Sequence, residues 1–121
     1  DGELQTETMG AVARNAVKRE LNNLVFILDK NSFCAMGKTE EVLNVDERHL
    51  FHDWNIFEVD GHNYAEIEEA LNSGFAGKPR PLLIIANTIK GKGWKKAEGD
   101  NLWHYAQIKE DDYNDALSCL K

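Results

Sequence analysis

Cysteine and proline are scarce: the 121 residues contain two of each. Cys34 and Cys119 lie far apart and share no metal-ligand spacing, which excludes a metal site built on the pair. Lone thiols in an acidic chain read as reduced, so the expected compartment is the cytoplasm. Basic charge is also short, with 14 Lys and Arg against 21 Asp and Glu and a net charge of −7. A chain of that sign offers no positive footprint to nucleic acid or to an anionic membrane, and neither is expected as a partner. Long apolar runs are missing: the longest, Leu24–Leu28 and Pro81–Ala86, fall far short of a bilayer span. The opening residues carry no basic stretch followed by an apolar one, so no signal peptide is expected. The sequence has neither low-complexity tracts nor internal repeats. With 42% apolar and 29% charged residues, it has the composition of a single folded domain, not of a collagenous or disordered chain.

The pattern along the chain alternates between helical and extended segments. From Gln5 to Leu21, Met9, Ala13, Ala16 and Val17 recur at helical spacing, and Asn22-Asn23 can stop the helix. Leu24–Leu28 follows as an unbroken apolar run, which predicts a strand buried on both faces, as in a parallel sheet. Asp29–Ser32 is turn-rich, and no clear period is legible from there to Val45. Asp46 can cap a short helix through Phe51, and Asn55–Val59 reads as a second strand. Asn63 can cap a further helix with Ile67, Ala70 and Leu71 on one face, closed by Gly74, Gly77 and Pro79. Leu82–Asn87 is the third strand, Gly91-Lys92-Gly93 opens a long loop, and a terminal helix is expected from Glu110 to Leu120. This alternation predicts an α/β fold, a parallel sheet with flanking helices and right-handed crossovers. Ligands of such sheets bind beyond the carboxyl ends of the strands, so function is expected in the loops at Asn31, Asp60 and Ile89–Gly93.

The chain opens on Asp1-Gly2-Glu3 and passes almost at once into a helix. An Asp-Gly turn in that position belongs after a strand, so residues 1–121 are expected to be the later part of a larger domain. Asp1 and Asn31 form the most informative pair. A carboxylate at one strand end and a carboxamide at the next can converge on one hard cation, and Mg²⁺ completes its oxygen shell with phosphate and water. Gly2 lets the backbone approach a diphosphate, and the helix N-terminus behind it offers free N–H groups to that anion. The same residues also fit Asp1 as a cap and Asn31 as an ordinary turn residue.

Asp-Gly, an amphipathic helix, an apolar strand and an Asn about thirty residues on resembles the thiamine diphosphate signature, Gly-Asp-Gly through Asn. The surrounding words are similar to those of the transketolase family. Asp1-Gly2-Glu3-Leu4-Gln5 resembles its DGELQ, Asn22-Asn23-Leu24 its DNL, and Asp29-Lys30-Asn31 its D-[RK]-N. Gly37-Lys38-Thr39-Glu40-Glu41-Val42 matches its GKTE-x-V, and Glu58-Val59-Asp60-Gly61-His62 its EVDGH. Thr88-Ile89-Lys90-Gly91-Lys92-Gly93 matches its T-[IV]-KGKG, and Trp103-His104 its WH. The matches run in order over nearly the whole chain and come nearest to the amino-terminal subunit of transketolases made as two polypeptides.

The resemblance implies a thiamine-diphosphate-binding fold, present as a partial domain, and transfer of a two-carbon ketol unit between sugar phosphates. It implies thiamine diphosphate and Mg²⁺ as cofactors. Asp1 and Asn31 would bind the metal through side-chain oxygens and Phe33 through its carbonyl, and Gly2 and Glu3 would line the diphosphate through backbone N–H groups. Ile89 would pack near the thiazolium ring, and His104 would stand near the diphosphate and the sugar, where it could hydrogen-bond or shuttle protons. A pyrimidine-binding domain or subunit would complete the site within a homo- or hetero-oligomer.

The sequence also departs from the family pattern. The Gly before Asp1 is missing, and Thr6-Glu7 stands where the family usually has Glu-Gly, an acidic position that helps join subunits. Met36 replaces a common Asp, and Tyr105 stands where a Gly often follows the histidine.

Other constellations carry less. Gly91-Lys92-Gly93 lacks the spacing and the Ser or Thr of a P-loop. His49, His52 and Asp53 read as a polar helix face, His62 as a residue that orders its loop, and Cys34 as a small buried side chain. Two rival readings stand beside transketolase. One is a deoxyxylulose-phosphate-synthase-like enzyme, disfavoured by the GKTE-x-V and KGKG words. The other is a non-catalytic relative serving as a structural or interaction module.

Overall fold

The computed structural model describes residues 1–42, 45–74 and 79–120. In chain order a 3₁₀ turn (Gly2–Gln5) leads into helix α1 (Glu7–Lys18), strand β1 (Val25–Lys30) and a small hairpin of β2 (Phe33–Cys34) and β3 (Gly37–Lys38). Then come the short helices α2 (Thr39–Val42) and α3 (Glu47–Leu50), strand β4 (Asn55–Asp60), helix α4 (Tyr64–Gly74), strand β5 (Leu82–Asn87), a second 3₁₀ turn (Asn101–His104) and helix α5 (Glu110–Cys119). The three long strands form one parallel sheet in the order β1-β5-β4. Lys30, Asn87 and Asp60 stand side by side in register, so all three strands end on one edge.

The unbroken run of β5 decides which strand is central. Leu82–Ala86 is buried throughout, as aliphatic residues without alternation require of a strand covered on both faces. Leu83 and Ile85 join Leu28 under Leu4, Ala13, Ala16, Phe51 and Trp54 on one face. Leu82, Ile84 and Ala86 pack with Val59 and Ala70 on the other. Each such side chain withdrawn from water contributes about 1.5–3 kcal/mol. Phe51 is the aromatic hinge of the first face, stacked on Phe26 at 5.5 Å and edge-on to Trp54 at 5.0 Å. The Trp54 indole N–H donates to the Ala13 carbonyl at 3.1 Å, which fixes α1 over the sheet and satisfies a buried donor.

Four expectations need correction or refinement. β1 is not buried on both faces: it is an edge strand, and Ile27 is 58% exposed because α4 packs over β4 and β5 rather than β1. The helix expected over Gln5–Leu21 is a 3₁₀ turn followed by α1, which stops before Asn22-Asn23. Its end is a Schellman motif: Leu21 N–H donates to the Ala16 carbonyl and Glu20 N–H to that of Val17, with Glu20 at φ 54°. The segment without a clear period is the β2–β3 hairpin and α2. The proposed helix stop at Gly77 lies outside the described residues. Asp46 does cap α3, accepting from His49 N–H at 3.0 Å. Asn63 caps α4, accepting from Ala65 N–H at 3.1 Å. Among the described residues no helix is long and apolar enough to cross a membrane.

Candidate functional site

The carboxyl edge of the sheet collects the loops that follow β1, β4 and β5. Asp1 reaches this edge from the start of the chain, where its nitrogen donates to the Asp29 carbonyl at 2.9 Å. The loop after β1 then turns sharply, because Ser32 adopts the left-handed conformation at φ 70°. That conformation is costly for a residue with a side chain and persists where surrounding contacts enforce it. Here it presents Ser32 N–H to the Asp1 Oδ2 at 2.8 Å and Ser32 carbonyl to Thr39 N–H at 3.0 Å. The other carboxylate oxygen, Asp1 Oδ1, is buried and has no hydrogen-bond partner. A buried carboxylate oxygen without a donor is unfavourable unless a cation or water meets it.

Asn31 and Phe33 flank that turn. Asn31 Oδ1 accepts from Phe33 N–H at 3.0 Å, an Asx turn that orients the carboxamide and leaves its oxygen a second lone pair. Gly2 packs so closely on the hairpin that a side chain there would begin 2.9 Å from Cys34 Cβ and 4.0 Å from the Phe33 carbonyl oxygen. The absence of a side chain is therefore required, and it keeps the Phe33 carbonyl beside the Asp1-Gly2 backbone. The amides of Gly2 and Glu3 open the 3₁₀ turn, where no carbonyl one turn earlier can accept them. Oxygen donors of this kind, a carboxylate, a carboxamide and a carbonyl, suit Mg²⁺ better than a softer metal. The described residues contain no cluster of three or more His, Cys, Asp and Glu side chains able to hold a metal.

His104 is brought to the same place. A groove of about 430 Å³ is lined by Asp1, Gly2, Glu3, Phe33, Met36 and His104 among others. Ile89 stands on the same sheet edge, 45% exposed on the loop after β5, and Asn31 lies in the turn after β1; neither is among the residues that line the groove. The Ile89 loop is tied down by His62, whose Nε2 accepts Ile89 N–H at 2.9 Å, so His62 orders the edge as expected of it. His49 and His52 are exposed and stacked at 6.1 Å on the α3 side, and His52 Nε2 lies 3.1 Å from Asp53 Oδ2 on the same polar surface.

Several contacts of the edge had no signal in the sequence, because they join residues far apart along the chain. Thr88 donates its hydroxyl to Asp29 Oδ1, and Lys30 pairs with Glu47. Glu58 accepts from Arg48 and Asn87; the Arg48 guanidinium, more than the Asn87 amide, holds its carboxyl below the usual range. The Tyr105 hydroxyl donates to the Ala35 carbonyl at 2.7 Å. Lys96 bonds Asp112 at 2.5 Å and lies over the rings of Trp94 and Trp103.

The fold and sequence match known proteins over nearly the whole extent of the chain. A family model described as transketolase, thiamine diphosphate binding domain, matches residues 1–120. One subunit of the apulose-4-phosphate transketolase of Phocaeicola vulgatus is 30% identical over 97% of this chain and 43% of its own length. A 6-deoxy-6-sulfo-D-fructose transketolase subunit of a Clostridium species is 29% identical over 100% of this chain and 45% of its own. The chain thus spans less than half the length of these curated relatives. The crystal structure of a transketolase from Campylobacter jejuni superposes with a TM-score of 0.88 at 28% identity, covering 98% of this chain and 19% of that one.

Proposed function

This chain belongs to the transketolase family through its thiamine diphosphate binding domain, and from that premise we propose that it supplies the Mg²⁺ and diphosphate half-site of an enzyme moving a two-carbon ketol unit between sugar phosphates. The observation that carries the reading is the buried, partnerless Asp1 Oδ1 on a carboxylate whose other oxygen accepts Ser32 N–H, in the turn between Asn31 and Phe33. Asp1 and Asn31 would hold Mg²⁺ through their side chains and Phe33 through its carbonyl, with diphosphate and water filling the remaining positions. The Gly2 and Glu3 amides would receive the diphosphate oxygens. Ile89 would give the thiazolium ring an apolar contact. When bound, thiamine diphosphate supplies the electron sink that ketol transfer needs.

His104 would act on the sugar side of the groove. Its imidazole is exposed there and can hydrogen-bond a sugar hydroxyl or carry a proton from one. Residues 1–121 then form the later part of the diphosphate-gripping domain. A pyrimidine-binding domain or subunit would complete the site, in a homo- or hetero-oligomer working in the cytoplasm. Relatives that are themselves named as transketolase subunits support a separate partner chain.

Asn31→Ala tests the half-site. In the complete enzyme it should weaken thiamine diphosphate binding by tenfold or more at limiting Mg²⁺, with the deficit shrinking as Mg²⁺ saturates, as titration calorimetry would register. An equal loss at every Mg²⁺ concentration would point to damaged folding instead.

A further inference from the structure

We propose that Tyr105 is a positioning residue that fixes His104 over the groove by bolting its loop to the β2–β3 hairpin; the inference rests on the reading of His104 given above. His104 ends a four-residue 3₁₀ turn whose start is set by Asp100, which accepts Leu102 N–H at 2.8 Å. On one side of the histidine, Trp103 anchors the turn: its indole N–H donates to the Lys96 carbonyl at 3.0 Å, and its ring meets Trp94 edge-on at 4.4 Å. On the other side stands Tyr105, whose hydroxyl crosses to the Ala35 carbonyl at 2.7 Å.

Burial does not explain the tyrosine. Tyr105 is 68% exposed, so its ring withdraws little surface from water, and its defined contacts are the hydroxyl bond and the neighbouring imidazole. That imidazole lies edge-on to the Tyr105 ring at 4.9 Å. One side chain therefore limits the swing of His104 and ties its loop to the hairpin that carries Phe33 and lines the groove with Ala35 and Met36. Among the described residues this bond joins the hairpin side of the groove to the His104 side, across seventy positions of sequence. A loop held only through Trp103 would let the imidazole move relative to Asp1 and Glu3, and small displacements of a positioned group cost rate steeply.

Tyr105→Phe removes the hydroxyl and keeps the ring. Hydrogen exchange on the full chain should rise by about three- to tenfold, the range of one hydrogen bond, in residues 101–106 and in the hairpin together. In the assembled enzyme the same variant should raise KM for a ketose phosphate severalfold, with kcat less affected and thiamine diphosphate affinity at saturating Mg²⁺ unchanged. If Tyr105 works through His104, adding Tyr105→Phe to His104→Ala should cause no further loss of kcat/KM. Unchanged exchange in the two segments, or the same fold-loss in both backgrounds, would overturn the proposal. A His104→Ala enzyme with full kcat/KM would instead remove the functional reading beneath it, a distinct result.

Discussion

Among the described residues, two without the licence of glycine sit in the left-handed region, and they do so for different reasons. Ser32, at φ 70°, turns the loop after β1 so that its amide meets Asp1; the contact with Asp1 and the Thr39 amide holds the conformation in place. Glu20, at φ 54°, closes the Schellman end of α1. Its exposed side chain has no comparable bond among the described residues, so the strain there is structural only. Glu20→Gly should therefore raise stability by about 0.5–1 kcal/mol, the cost of a Cβ in this region less the greater freedom of glycine when unfolded. Chemical denaturation would register it as a higher midpoint at unchanged slope; a lower midpoint would mean that Glu20 makes an energetic contact at the helix end. Gly61 illustrates the converse. A side chain there would begin 2.4 Å from Thr88 Cγ2 and 3.1 Å from the Asn87 carbonyl oxygen, so the Asp60-Gly61-His62 word is partly a packing requirement of the sheet edge.

Helix α5 is fastened to the body of the protein through the loop that carries Trp94, Lys96 and Trp103. Trp94 donates its indole N–H to Asp115 at 2.6 Å, and Lys96 reaches Asp112. Asp112 also accepts Lys109 N–H at 3.1 Å at the start of the helix, where a carboxylate meets the positive end of the dipole. The Lys96 ammonium, and after it the Lys109 amide, hold the Asp112 carboxyl below the usual Asp range. A carboxylate with a depressed folded value stabilises fully above its unfolded value and loses that contribution as pH falls through the folded one. Acidification below about pH 4 should loosen α5 from the tryptophan loop, with a change in Trp94 and Trp103 emission before global unfolding. Asp112→Asn should lack this acid step. Lys96 mirrors the effect at the other end of the scale. Hydrogen bonding to Asp112 raises it, so its contribution is complete below the ordinary lysine value and fades only above it. An acid titration with identical emission in both proteins would show that the pair does not hold the helix.

At the scale of the whole molecule, the chain builds one three-layered unit, and we propose that it supplies one half of a catalytic site. Asp1, Phe33 and His104 line a groove at one sheet edge, and this chain spans less than half of the curated relatives named above. The proposed site of two side chains and a carbonyl would leave most of a Mg²⁺ shell to the diphosphate and water. The chain alone, saturated with thiamine diphosphate and Mg²⁺, should bind the cofactor feebly and transfer no ketol unit from a ketose phosphate, and adding a pyrimidine-binding partner should restore turnover. Turnover by the chain alone at about 1 s⁻¹ or faster would show that no second half is needed. The sequence by itself determined the α/β alternation and the place of the three long strands, since each is written in local spacing and period, but it assigned burial on both faces to Leu24–Leu28 where β5 has it. It also carried the family words, from Asp1-Gly2 to Trp103-His104. Only the tertiary structure decided that β5 lies between β1 and β4, that Ile27 is left at an open edge, and that Tyr105 reaches Ala35. Strand order and cross-chain hydrogen bonds depend on which distant segments pack together. A period of two or of 3.6 residues records which face of an element is buried, and carries nothing about the neighbour that buries it.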